Sequence, residues 1–443
     1  MTLPLTVFER YMFYDDSAEY PMDSFRLLRF NGCLKWNLFE KAVRAVLDVN
    51  PLLRSIIKRS KRRGLVWEEM CLDAFMKQCI KLCGKEECDE NGVPVPERLD
   101  IEHQSGFRIY ASYTGTTTAV LFQFHHSASD GIGEMEFIGD VLTDYSARFE
   151  GKTPPVIERK PELLPLRGKS GLTLGNYFRH FFDTMFTTRQ LVFGRPSPLK
   201  PDDNIPARVI PDYYKFCAKE LTPEESKICF TKAKQKRITV NDYLLSVLFQ
   251  TIGEWNGYWV QSDKNLVYRV SVPMNLRAAK HSGIPASNTT TMIFFDRRHR
   301  HCGKPKWLLR SLRREMNWVK RSGQRHIFLL GIWEMEYLFG GLRRFLKRKC
   351  CRATAVLSNL GRVWEKLPLP KTKDGKLRVG DAVLHTVDAS PPIRFGTLVS
   401  FSILTYSGRL RFTMRYDSQK LTAVEAESFL QLFCNEIYRQ LQL

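Results

Sequence analysis

The sequence predicts an α/β protein built as two lobes, and three observations predict it. Helical and extended apolar patterns alternate in both halves of the chain, with no internal repeat. A proline-rich stretch from Gly151 to about Pro206 separates the halves, with Pro154, Pro155, Pro161, Pro165, Pro196, Pro198 and Pro201. The 443 residues are 43% hydrophobic and 26% charged, a globular composition long enough for two or three cores of ordinary size.

The elements follow in chain order. Trp36 to Leu47 places Leu38, Phe39, Ala42, Val43 and Val46 on one helical face, Asn50-Pro51 ends that helix, and Leu53 to Ile57 is extended. Thr118 to Phe124, TAVLFQF, is apolar except for Gln123, as a strand covered on both faces must be. A polar loop follows, and then a helix marked by Ile132, Met135, Ile138, Val141, Leu142 and Tyr145. A short aromatic helix is expected near Tyr177 to Phe186. The second half opens on the helix NDYLLSVLFQTIGEWN from Asn241 and continues with the extended runs LVYRVSVPMN and TTTMIFF. A basic helical region, the strand TAVLSNLG, the hairpin LVSFSILTYSGRLRFTMRYD with its Ser407-Gly408 turn, and a last amphipathic helix from about Thr422 complete it.

Several classes are excluded by what the chain lacks. The longest apolar candidate, Ile327 to Trp333, is stopped by Glu334 and Glu336, far short of the roughly 18 residues a spanning helix needs. Glu9, Arg10, Asp15 and Asp16 interrupt the N-terminal segment too early for a signal peptide, so a cytoplasmic protein is expected. The 11 cysteines have no paired CxxC spacing and are expected to be reduced thiols. Cys79, Cys83 and Cys88 cluster without a fourth ligand or a nearby histidine, so no metal site is expected.

Chemistry concentrates in the loop His125-His126-Ser127-Ala128-Ser129-Asp130-Gly131. A strand end aims such side chains rigidly, and strand alternation puts His126 with Phe124 and His125 with Gln123, so one histidine faces a given cavity. A near-neutral histidine suits general-base removal of a proton from an alcohol or amine. Asp130 would organise the loop, and Gly131 would let a substrate approach closely. Ser127, Ser129 and Asp130 are equally good helix caps.

HHSASDG fits HHxxxDG and resembles the active-site signature of the CoA-dependent acyltransferase superfamily, which includes chloramphenicol acetyltransferase, condensation domains and alcohol acetyltransferases. PLTVFERYMF, NPLLRS, ITVNDYLLSVLFQTIGEWN, SVPMNLR, SNTTTMIFF and LSNLG occur in the order such proteins show. The resemblance implies two chloramphenicol acetyltransferase-like lobes, each a mixed sheet flanked by helices, with an active-site channel between them: residues 1–155, a connection over 156–206, and residues 207–443. It implies His126 as general base toward the acceptor, direct attack on a thioester, and Asp130 paired with Arg277. Asn288, Ser358 and Asn359 would line the tunnel or hold the oxyanion, although turn or strand-end positions explain each singly. No bound cofactor is implied; acyl-CoA or a phosphopantetheine thioester is the co-substrate, and a monomer is expected. The chain lacks the DFGWG of plant BAHD enzymes and the SNVPGP of wax ester synthases, having SNLGR at Ser358–Arg362. Adenylation and carrier domains are also absent from it, which favours a free-standing O-acyltransferase. Amide formation and a non-catalytic binding relative are the alternatives.

The chain carries 68 Lys and Arg against 47 Asp and Glu, a net charge of +21. Residues 297–352 hold 17 of those basic residues against three acids, +14 in 56 residues. Leu309, Leu312, Met316 and Val319 form an apolar helical face within this stretch. It suits an anionic membrane surface, an acidic acyl carrier protein, the phosphates of CoA, or plain solvent. No nucleic-acid-binding signature accompanies it.

Overall fold

The computed structural model describes residues 2–169, 173–199, 213–257, 265–338 and 340–441. Pro201 and the junction expected at residues 206 and 207 lie outside them.

Two six-stranded mixed sheets organise the chain. The first runs, edge to edge, Arg378–Val379, Ala382–Ser390, Asp23–Asn31, Thr117–His125, Phe107–Thr114 and Ile80–Leu82. Its TAVLFQF strand pairs antiparallel on both sides, with Asp23–Asn31 and Phe107–Thr114. Val120, Phe122 and Phe124 enter the main core of the lobe and Leu121 packs with Phe25, Leu27 and Tyr110 in a second cluster, so apolar packing on both faces accounts for its nearly unbroken apolar sequence. The helix Trp36–Asp48 buries Phe39, Ala42, Val43, Val46 and Leu47 beside the helix Gly131–Phe149. A three-stranded sheet of Thr2–Pro4, Gly64–Glu69 and Ser55–Ser60 adjoins this lobe.

The second sheet runs Thr290–Arg298, Val267–Asn275, Ala355–Arg362, Val399–Tyr406, Arg409–Tyr416 and Phe216–Glu220. The SNLG strand is parallel to both neighbours, and the hairpin turns at Ser407 and Gly408, with φ of 51° and 76°. The helix Val240–Gly257 is apolar nearly all round because the helices Pro305–Ser322 and Ala423–Leu441 pack on it. The aromatic helix expected near Tyr177 to Phe186 is two, Leu174–Arg179 and Phe181–Phe193.

The C-terminal part of the chain does not remain within its own lobe. Ala382–Ser390 crosses back to pair with Asp23–Asn31 in the first sheet. Its Asp388, buried, is held by Arg29 of the first lobe and by Arg411 and Thr413 of the second sheet. Arg415, also fully buried, donates to the Asp23 carbonyl at 2.6 Å and the Pro391 carbonyl at 3.1 Å. The lobes are therefore stitched by buried charge-assisted hydrogen bonds. A third apolar cluster adds to this, packing Val7, Phe8, Tyr11 and Met12 on Phe328, Leu329 and Ile332.

Candidate active site

The strand Thr117–His125 ends where the two lobes meet, and alternation sends its last two histidines apart. His125 is fully buried in the first lobe; its Nδ1 accepts from the Ser127 amide at 3.2 Å, and its Nε2 lies 3.6 Å from Asp16 Oδ1. Burial raises the Asp16 carboxyl, but the His125 ring beside it, the Met22 amide that donates to it at 2.9 Å and the Arg98 guanidinium outweigh this and hold it below its usual range. His125 is thus occupied within the protein and does not face the cavity.

His126 does. Its Nδ1 is 3.0 Å from the Ser129 carbonyl, which can only accept, so Nδ1 carries the proton and Nε2 keeps its lone pair. The ring lines a cavity of about 90 Å³ between the lobes, with Tyr11, Met12, Ser24, Arg26, Ser358 and Arg394 among its walls. Burial pushes the His126 pKa below the ordinary histidine value, against the pull of Asp130, so the imidazole is neutral at pH 7.

Asp130 is both cap and organiser. Oδ1 accepts from the Gly133 amide at 3.0 Å, capping the helix Gly131–Phe149, and Oδ2 accepts from the Thr289 amide at 2.8 Å. Arg277 Nη1 reaches the same carboxylate at 2.9 Å, and Arg277 Nη2 donates to the Ser287 carbonyl at 3.1 Å. Burial raises this carboxyl, but Arg277 and the amide donors more than offset it and hold it below the usual range. Asn288 Nδ2 donates to the carbonyls of His126 and Ser127 at 2.7 and 2.8 Å. Arg277, Thr289 and Asn288 together clamp the loop from the second lobe.

The remaining expected residues divide. Ser358 lines the cavity, whereas Asn359 does not: its Oδ1 accepts from the Gly361 amide at 2.9 Å in a local turn. Gly131 borders the cavity, but the approach it allows is made by protein; a β-carbon there would sit 2.7 Å from Leu360 Cδ2 and 3.2 Å from Arg26 Nη2.

Three features escaped the sequence reading. Beneath His126, Arg26 pairs with Glu134 at 2.5 Å and Ser24 donates to Glu134 at 2.9 Å, all buried. Burial pushes Glu134 up to about 7 despite Arg26. An arginine at the inward position of the apolar strand SFRLLRF was the available signal. At another wall Arg394 pairs with Asp15 at 2.6 Å and donates to the Tyr11 hydroxyl. Ser400 Oγ, also on the cavity, is buried and makes no hydrogen bond within the described residues. Nothing local marked Ser400, on a strand of the second sheet, or Arg394, in the loop that joins the first-sheet strand Ala382–Ser390 to it, and both reach the site only through tertiary folding.

Among the described residues no grouping of His, Cys, Asp or Glu is arranged to hold a metal ion, and no helix is long and apolar enough to cross a membrane. All 11 cysteines are unpaired.

No family model matches the chain. Two uncharacterized proteins from strains of Mycobacterium tuberculosis are each 23% identical to it over 295 residues, a match spanning 66% of this chain and 66% of theirs. The match thus spans just under two thirds of the length of these curated relatives. Among solved structures, a trichothecene 15-O-acetyltransferase from Fusarium sporotrichioides superposes with TM-score 0.70 at 11% identity, over 98% of this chain and 94% of that one. The starter condensation domain of rhizomide synthetase, in complex with C8-CoA, gives 0.67 at 15% over 100% and 95%. The epimerization domain of the third module of tyrocidine synthetase B gives 0.64 at 12% over 100% and 97%. At these identities the likeness is one of fold: the chain has the two-lobe, chloramphenicol acetyltransferase-like fold of condensation domains and related acyltransferases.

Proposed function

We propose, taking as premise the fold this chain shares with condensation domains and an O-acetyltransferase, that it transfers an acyl group from a thioester donor, acyl-CoA or acyl carrier protein, to an alcohol. The observation that carries the reading is the tautomer of His126. Its Nδ1–H is committed to the Ser129 carbonyl, so Nε2 presents a lone pair to the inter-lobe cavity.

In this reading the acceptor hydroxyl gives its proton to His126 Nε2 as its oxygen attacks the thioester carbonyl. The Ser129 carbonyl and the nearby Asp130 carboxylate steady the imidazolium that forms. The tetrahedral oxyanion takes a hydrogen bond from a cavity hydroxyl, for which Ser358 and the unpartnered Ser400 are the candidates. Collapse breaks the C–S bond, and the leaving thiolate recovers the proton from Nε2. Asp130 and Arg277 act as positioning residues, since neither needs to touch the reacting atoms. The complex of a fold neighbour with C8-CoA supports acyl-CoA as donor, and the likeness to an O-acetyltransferase supports an alcohol acceptor.

Thiol release from octanoyl-CoA in the presence of an alcohol panel tests this. His126→Ala should lower kcat about 10²- to 10⁴-fold with the thermal melt unchanged; a variant that turns over normally overturns the general-base role. Faster turnover with an equivalent amine panel would reassign the product as an amide. No turnover with any donor, alongside saturable binding of acyl-CoA, would point to a non-catalytic relative.

A further inference from the structure

Two neighbouring helices present outward faces that the other described residues leave uncovered. The helix Phe181–Phe193 buries Thr184 and Leu191 and turns Phe182, Met185, Phe186 and Phe193 to solvent, Phe182 at 81% exposure and Phe193 at 73%. At roughly 100° per residue, these four and Arg189 fall on one side, opposite the buried pair. A contiguous row of large apolar side chains in water is unfavourable and marks a docking face.

The helix Pro305–Ser322 complements it. Leu308, Leu312, Met316 and Val319 face the core, with Leu308 rather than Leu309 as the buried first member of that row. The opposite side carries Trp307, Arg310, Arg314, Trp318 and Arg321, all exposed. Nearby carboxylates are already committed, Glu315 to Arg297 at 2.8 Å and Asp296 to Arg269 at 2.7 Å. Among the described residues Arg310, Arg314 and Arg321 have no carboxylate partner.

The two helices adjoin. Gln324, just beyond one helix, donates to Asp183 of the other at 2.6 Å, and the helices share a cavity of about 250 Å³. Phe186 and Trp318 belong to the outward rows and also line that cavity, so it opens between them. Met292 lines both this cavity and the one holding His126.

We propose that this face docks on an anionic lipid surface. Phe182, Phe186 and Trp318 enter the boundary between headgroups and acyl chains, and Arg310, Arg314 and Arg321 pair with the lipid phosphates. Charge complementarity alone would suit an acidic protein, but the exposed phenylalanine row is matched by a partner that is both anionic at its surface and apolar just beneath it.

Flotation of the full chain with vesicles tests the proposal. Vesicles of phosphatidylcholine with about 30% phosphatidylserine should retain it at least about 10-fold better than phosphatidylcholine alone, less so as NaCl rises from about 0.1 to 0.5 M. Arg310→Glu/Arg314→Glu should lower retention about 10-fold by removing the charge attraction, and Phe182→Ser/Phe186→Ser should do so by removing the inserted surface. Both pairs are exposed, so melting curves should match the parent. His126→Ala should float as the parent does, which separates this outcome from that of the acyl-transfer reading. Equal retention on both vesicle types, or double variants that float normally, overturns the proposal. So does salt-sensitive binding to an acidic acyl carrier protein with no vesicle binding.

Discussion

The two adjacent histidines show how a single backbone parity decides chemistry. His125 spends Nδ1 on Ser127 and turns Nε2 toward Asp16 inside the first lobe, whereas His126 spends one nitrogen on Ser129 and leaves the other to the cavity. Because burial holds the His126 pKa below the ordinary histidine value, the base form persists on acidification. In the acyl-transfer reading, kcat/KM should stay level from neutrality down to about pH 6.5 and fall only below it. A profile that loses activity with a midpoint above that would place the titrating group elsewhere. Asp130 is legible from sequence as a cap and, through the resemblance, as the partner of Arg277; both contacts occur on one carboxylate. Removing the cation leaves a buried charge short of its partner, so Arg277→Ala should cost about 2–4 kcal/mol in denaturant unfolding. Folded-state ionisation below the ordinary carboxylate range makes that contribution present above about pH 4 and lost as pH falls further. Arg277→Ala should therefore narrow the stability difference between neutral and acid pH; an unchanged difference would show that the amide donors alone hold Asp130 ionised.

At the scale of elements, the strand, loop and helix around HHSASDG were readable because apolar periodicity and capping residues are local properties. The glycines there were not readable in the same way. Helical glycine normally gives way to alanine with a gain of up to about 1 kcal/mol. At Gly133, however, a β-carbon would lie 3.1 Å from the Ser287 amide nitrogen and 3.2 Å from Ala286 Cα, a backbone that cannot simply rotate aside. Gly133→Ala should therefore destabilise by about 1–3 kcal/mol, while Gly175→Ala should be neutral or stabilising. Gly175 sits in the helix Leu174–Arg179, where nothing lies within 4 Å of the added carbon. Thermal melts of the pair decide it: equal responses would mean that the second lobe yields around Gly133. The strand Ala382–Ser390 went unread for a related reason. AVLHTVDAS mixes apolar and polar residues without a clean alternation, and its buried Asp388 answers to partners from both lobes.

Across the whole molecule the lobes share buried charges. Asp388 accepts from Arg411 and Thr413 of the second sheet while its strand completes the first. Asp388→Ala would leave Arg411 and Arg29 without this acceptor, and should cost about 3–5 kcal/mol and lower the unfolding midpoint for both lobes together. Two separate transitions, only one of them shifted, would show that the lobes unfold independently. The charge follows the same division between local and global information. Sequence by itself determined the alternation of helices and strands, the excess of basic residues in 297–352, and the loop with a histidine turned each way, since each depends on residues a few positions apart. The resemblance pointed to His126 of the pair, and only the tertiary structure decided which lobe each strand serves and what lies beside His126. The same holds for the helix of Arg310 and Arg314, which shares a cavity with the helix of Phe182 and Phe186 across more than a hundred intervening residues. Those outcomes rest on contacts between residues remote in the chain, whose positions are set by the joint packing of two sheets and leave no mark in any single window of sequence.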